Sequence, residues 1–129
     1  MDTRTKILSP EAAPHACTVV TGAFDIVLAA DARELAEIRA RHPAHPLLVV
    51  VLPLPGELLP QRARAELVAA LRMVDYVVTA DDAAPNVDPA AATNALLASL
   101  EPAHLVRLET AHAERKRQLM EHVHRRQTS

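Results

Sequence analysis

Glycine is almost missing from this chain. Only Gly22 and Gly56 occur in 129 residues, which excludes the G-x-G-x-x-G fingerprint and the Walker phosphate loop, since each needs several glycines to bring backbone amides up to a phosphate. Aromatic residues are as scarce. One Phe, one Tyr and no Trp leave almost no platform for base stacking, so nucleic acid is not an expected partner. The lone Cys17 has no intrachain disulfide partner, and the charged start from Met1 to Lys6 lacks the apolar segment of a signal peptide, so the expected compartment is reducing and cytoplasmic. The longest apolar run, Leu47 to Leu54, is broken by Pro53 and is far shorter than a bilayer span. No membrane partner is expected.

What is present is aliphatic. Half the residues are apolar and the formal charge is only −2, which fits one domain large enough to bury its own core. Four apolar runs are continuous rather than alternating, as in strands buried on both faces: Cys17 to Val20, Leu47 to Leu52, Val74 to Val78, and Leu105 to Leu108. A helical pattern follows each. Asp31 to Arg41 places Leu35 and Ile38 on one face; Pro60 to Met73 carries Ala63, Leu67, Ala70 and Leu71 at helical spacing. The third helix starts at Asp88-Pro89 and buries Ala92, Leu96 and Leu100, and the fourth, from Ala111 to about Arg126, packs through Leu119, Met120 and Val123. Alternating strands and helices predict an α/β fold with a parallel sheet of about four to five strands covered on both sides. Residues 1–15 read as a lead-in and 16–129 as a single domain ending in a basic helix.

Ligands in open α/β sheets bind beyond the carboxyl ends of the strands. The stiff segment 53–60, with its prolines, leaves the second strand there, and it reads equally well as a rigid connector. Residues 21 to 31, Thr-Gly-Ala-Phe-Asp-Ile-Val-Leu-Ala-Ala-Asp, leave the first strand at the same end.

That second stretch resembles the GxFDxxHxGH signature of the cytidylyltransferase-like nucleotidyltransferases. Gly22, Phe24 and Asp25 are kept, whereas Leu28 and Asp31 stand at the two histidine positions and Ala30 at the glycine. Arg64 to Val78 is similar to the RAELLAALxxVDYVV helix-strand unit of the same superfamily, and Lys6 to Ala12 to the lead-in of the adenylyltransferase domain of ADP-heptose synthesis enzymes. The resemblance covers about residues 6 to 80. It implies a Rossmann-like α/β/α sandwich that, in active members, joins a nucleoside triphosphate to a sugar or alcohol phosphate with release of pyrophosphate. It further implies Mg²⁺ with ATP or CTP if the chain is active, a nucleotide held near Thr21, Gly22, Ala23, Phe24 and Asp25, and a homodimer, since members often pair.

The departures bear on the chemistry. Phosphoryl transfer needs preorganised donors where charge develops, and losing one costs on the order of 3 kcal/mol. Here Leu28 donates nothing, and an aspartate beside a phosphate adds about 1 to 4 kcal/mol of repulsion at contact distance. Residues 53 to 63 hold no lysine, and no ISTT-like nucleotide motif follows. The expectation is a degenerate member, inactive or strongly impaired, retained as a binding, regulatory or assembly module. Two alternatives stand beside it: an active adenylyl- or cytidylyltransferase with donors from Thr21, the Gly22 and Ala23 backbone or a neighbouring subunit's arginine, and a protein-interaction module.

Asp31-Ala32-Arg33-Glu34 has the spacing of an aspartate-headed capping box. The Asp31 carboxylate is expected either to cap the helix and do nothing more or to fill, from within the chain, the anion site at a helix amino terminus. Asp25 is read as a turn-organising residue that could also face substrate. Asp75, Arg64 and Arg72 are read as helix-end and inter-element pairings. Among seven histidines, His42 and His45 are the one local pair with reach for a metal, without an evident third ligand, and His122 and His124 point to opposite helix faces. No resident metal is assigned. Arg115, Lys116, Arg117, Arg125 and Arg126 make the last helix basic against Glu114 and Glu121, which suits either solvent or an acidic partner.

Overall fold

Both central strands are buried on both faces, one made of leucine and valine throughout and the other of threonine, valine and glycine. In the computed structural model, which describes residues 2–54, 56–80 and 88–128, four strands form one sheet: β1 (Thr18–Gly22), β2 (Leu47–Val51), β3 (Tyr76–Thr79) and β4 (His104–Arg107). Their order is β3-β2-β1-β4 and every neighbouring pair is parallel. Four helices follow the strands in alternation: α1 (Ala29–Arg41), α2 (Gln61–Ala69), α3 (Pro89–Leu100) and α4 (Glu109–Thr128).

Strand alternation divides the core. Val20, Leu47, Val49, Val51 and Val77 meet Leu35 and Ile38 of α1 and Ala65, Val68 and Ala69 of α2 on one face of the sheet. Val19, Leu48, Val50 and Val78 are closed on the other by Leu97 and Leu100 of α3. The result is the expected Rossmann-like α/β/α arrangement. The lead-in lies along the outer side of β3, where Ile7 bridges Val77 and the Leu8 amide donates to the Val77 carbonyl at 2.8 Å. Among the described residues no helix is long and apolar enough to cross a membrane.

Four expectations need correction. α1 starts two residues before Asp31, so Leu28 is its N-cap and Asp31 its third residue. The buried face of α2 is Arg64, Ala65, Val68 and Ala69, one position away from the expected Leu67 and Ala70 face, and Leu67 is exposed. The reason is Arg64, whose charge is satisfied inside the protein, so the face that carries it together with Ala65, Val68 and Ala69 turns inward. β4 is an edge strand with alternating half-exposed residues rather than one buried on both faces. The apolar residues of α4 chosen from the sequence, Leu119, Met120 and Val123, are all exposed. The helix is held instead by its first two turns, which pack on β1 through His112.

Candidate functional site

Registered parallel pairing, with Gly22 opposite Val51, brings the loops after β1 and β2 out at the same end of the sheet. A single buried arginine stitches them. Arg64 is fully buried; its Nε donates to the Leu59 carbonyl (3.0 Å), Nη1 to the carbonyls of Ala23 (2.7 Å) and Leu52 (2.9 Å), and Nη2 to Glu57 Oε2 (2.7 Å). Asp25 works from the opposite loop. Its fully buried carboxylate accepts the Leu58 and Leu59 amides at 2.7 and 3.0 Å and pairs with Lys116 Nζ at 3.4 Å. Burial alone pushes this carboxyl up, but the two amides and Lys116 outweigh it and hold it below its ordinary range. The Pro55 position of the second loop lies outside the described residues.

The beginning of α4 completes the site. Positions 109, 112 and 116 share one helical face, and all three turn toward β1 and α1. Glu109 accepts the Thr21 hydroxyl at 2.5 Å and pairs with Arg107 at 2.8 Å. Burial pushes its carboxyl up, yet the Thr21 hydroxyl, its own amide and Arg107 together bring it below the usual value. His112 packs edge-on against Phe24, ring centroids 4.7 Å apart, and directly over Gly22. A Cβ on Gly22 would lie 2.7 Å from His112 Cε1 and from Phe24 Cε2. This contact, rather than any phosphate, is what requires the glycine here.

Asp31 is the centre of the cluster. One carboxylate oxygen accepts the Leu28 amide at 2.8 Å, the third-residue half of a capping box, and the other meets Arg115 Nη1 at 2.6 Å. The same guanidinium reaches Glu34 Oε1 at 3.1 Å. Asp31 is therefore a cap, as expected, but from inside the first turn; Glu34, expected in water, is a partner of α4 instead. His112 Nε2 lies 3.4 Å from Asp31 Oδ1 and 3.9 Å from Glu34 Oε1, with only 9% of the side chain exposed. Neither of its ring nitrogens has a hydrogen-bond partner. Burial lowers its pKa and prevails over the pull of Asp31, so the ring is neutral at neutral pH.

Beside this cluster opens a groove of about 750 Å³. Ile26, Leu28, Leu58, Leu119 and Met120 line it, and all five are substantially exposed. The lining is mostly apolar, and Asp25, Asp31, Glu109, Arg115, Lys116 and Arg117 within it are already paired.

The sequence-chosen residues Thr21, Gly22, Ala23, Phe24, Asp25, Leu28 and Asp31 do gather at this end of the sheet. Thr21, Ala23 and Asp25 are engaged by Glu109, Arg64 and the second loop respectively. Glu109, His112 and Arg115 join them only through the docking of α4, and no spacing in the sequence connects residues so far apart; Glu34, one turn after Asp31 on α1, is drawn in by Arg115. Arg115, Lys116 and Arg117 are all committed to ion pairs, Arg117 with Glu114 and Glu121. The Arg126 side chain lies outside the described residues.

At the opposite end of β4 the histidine pair gains a third member. His104 stacks on His42 at 3.7 Å and meets His45 edge-on at 5.1 Å. Stacked rings direct their lone pairs side by side and not toward a common point. Among the described residues, the group spaced for a metal ion is Asp31, Glu34 and His112.

Mg²⁺ with a triphosphate is a poor fit. Mg²⁺ demands octahedral oxygen ligands, whereas Asp31 and Glu34 are held by Arg115, Asp25 by Lys116 and two amides, and Glu109 by Thr21 and Arg107. The chain matches no protein-family model and no curated relative. The site is therefore read from its own geometry.

Proposed function

We propose that this chain is a degenerate relative of the cytidylyltransferase-like nucleotidyltransferases that keeps the sheet and its ligand-binding edge as a binding, regulatory or assembly module without nucleotidyl transfer. One observation carries the reading: the Asp31 carboxylate occupies the amino end of α1 and holds both the Leu28 amide and the Arg115 guanidinium. Where a transferase would offer donors to a phosphate, this protein supplies its own anion and uses its own cation to balance it. Lys116 is spent in the same way on Asp25. The groove alongside favours a ligand or protein segment with an apolar, uncharged portion over a polyanion.

Homodimer formation belongs to this proposal as one form of assembly, with the exposed Leu119 and Met120 as the surface to test. A basic-helix interaction module receives less support, because Arg115, Lys116 and Arg117 are paired within the chain. The active-enzyme alternative rests on phosphate donors from Thr21, the Gly22 and Ala23 backbone or a neighbouring subunit's arginine, and the Thr21 hydroxyl is already given to Glu109. A pyrophosphate-release assay with ATP and CTP over a panel of sugar and alcohol phosphates separates the readings, with no turnover expected. Robust turnover overturns the proposal. The paired substitution Leu28→His with Asp31→His is expected to raise triphosphate affinity by calorimetry, and an unchanged affinity counts against a self-filled anion site.

A further inference from the structure

A buried polar atom left without a partner costs about 1 to 3 kcal/mol, and His112 has two of them, of which Nε2 lies within reach of two carboxylates. We propose that Asp31, Glu34 and His112 form a binding site for one divalent transition ion of the Zn²⁺ or Co²⁺ class, and that the Arg115 guanidinium is the internal cation that plugs it.

The distances carry this. A tetrahedral ion with bonds of about 2.1 Å holds its donor atoms about 3.4 Å apart. His112 Nε2 is 3.4 Å from Asp31 Oδ1 and 3.9 Å from Glu34 Oε1, and all three donors lie within 4.8 Å of one another. Closing this triangle onto an ion needs a rotation of Glu34, whose side chain is 32% exposed and free to make it. One imidazole with two carboxylates is a donor set for zinc and cobalt, and a reluctant one for Mg²⁺. The backing of the His112 ring on Phe24 and Gly22 fixes its orientation in advance.

Arg115 marks where the ion belongs. Its two terminal nitrogens touch the same Asp31 and Glu34 oxygens that face His112, at 2.6 and 3.1 Å. The arginine side chain is 35% exposed, so it has a route out to water. With it displaced, three protein donors leave a fourth position open toward the groove that Arg115 lines, the layout of metal sites that keep one place for an exchangeable ligand. The proposal does not depend on the nucleotide reading, since the metal alone is the probe.

The test is Co²⁺ and Zn²⁺ binding by calorimetry, with Co²⁺ visible absorption reporting a nitrogen ligand. Wild type is expected to bind one ion weakly. Arg115→Ala should bind it at least about tenfold tighter, because a charge beside the ion is removed and two carboxylates are freed. Arg115→Gln keeps a neutral donor on Asp31 and serves if the alanine variant folds poorly. Adding His112→Ala to either background should weaken binding at least about tenfold and change the Co²⁺ spectrum. His42→Ala and His104→Ala should change neither. The proposal is overturned if wild type and the folded Arg115 variants show no His112-dependent binding, if the Arg115 variants bind no tighter than wild type, or if binding vanishes with His42 or His104 instead.

Discussion

Replacing Arg64 by methionine tests how the carboxyl end of the sheet is held together. The wild-type guanidinium is wholly buried and donates to three backbone carbonyls and one carboxylate, at 2.7 to 3.0 Å. Methionine approximates the length of the stem and none of the donors. The carbonyls of Ala23, Leu52 and Leu59 are then left bare, and Glu57, which is 39% exposed, turns to water. Hydrogen bonds from a charged donor contribute about 1.5 to 3 kcal/mol each, but the buried cation's own desolvation offsets much of the sum. A net loss of about 3 to 5 kcal/mol follows, in line with the removal of one member of a buried pair. For a chain of this length that is a fall in Tm of roughly 10 to 15 °C. Arg64→Lys keeps the charge but lacks the fork, so it should fall between the two. The assay is urea and thermal unfolding followed by circular dichroism, together with hydrogen exchange at the Leu58 and Leu59 amides. An Arg64→Met protein within about 1 kcal/mol of wild type, with those amides still protected, would refute the stitching role.

Two further outcomes follow from the packing of α4. His112 has a lowered pKa in the folded state, so unfolded chains take up its proton first as pH falls below about 6.5; stability is full above that value and declines toward acid. Thermal scans of His112→Leu from pH 7.5 to 5.5 should lose that part of the decline, and parallel wild-type and variant profiles would show that the ring carries no such linkage. Gly22→Ala would set a methyl 2.7 Å from the buried rings of His112 and Phe24, at a cost of about 1 to 3 kcal/mol. Unchanged urea stability of that variant would mean α4 does not seat on β1 as described.

The sheet was legible because strand burial writes itself into local composition. Leu47 to Val51 could be read as a doubly covered strand from five consecutive aliphatic residues, and the helix cap at Asp88 from its following proline. The candidate site was legible for the residues that leave β1, Thr21 to Asp31, since they are close in sequence. The face of α2 was misread because a charged residue is normally taken as solvent-facing, and nothing local reveals that Ala23, Leu52, Leu59 and Glu57 converge on Arg64. The apolar residues of α4 misled for the opposite reason. Leu119, Met120 and Val123 look like a packing stripe, yet all three are exposed.

The sequence by itself determined the alternation of buried strands and helices, the parallel sheet, and the presence of Leu28 and Asp31 in the segment that leaves β1. Those follow from side-chain periodicity and identity, which act over a few residues. Tertiary structure alone decided what Asp31 does. Its partner Arg115 lies 84 residues along the chain, and only the seating of the first two turns of α4 on Gly22 and Phe24 brings His112, Arg115 and Lys116 against the carboxylates. Ionic contacts between distant segments depend on where packed surfaces place them, and that placement is a property of the whole fold.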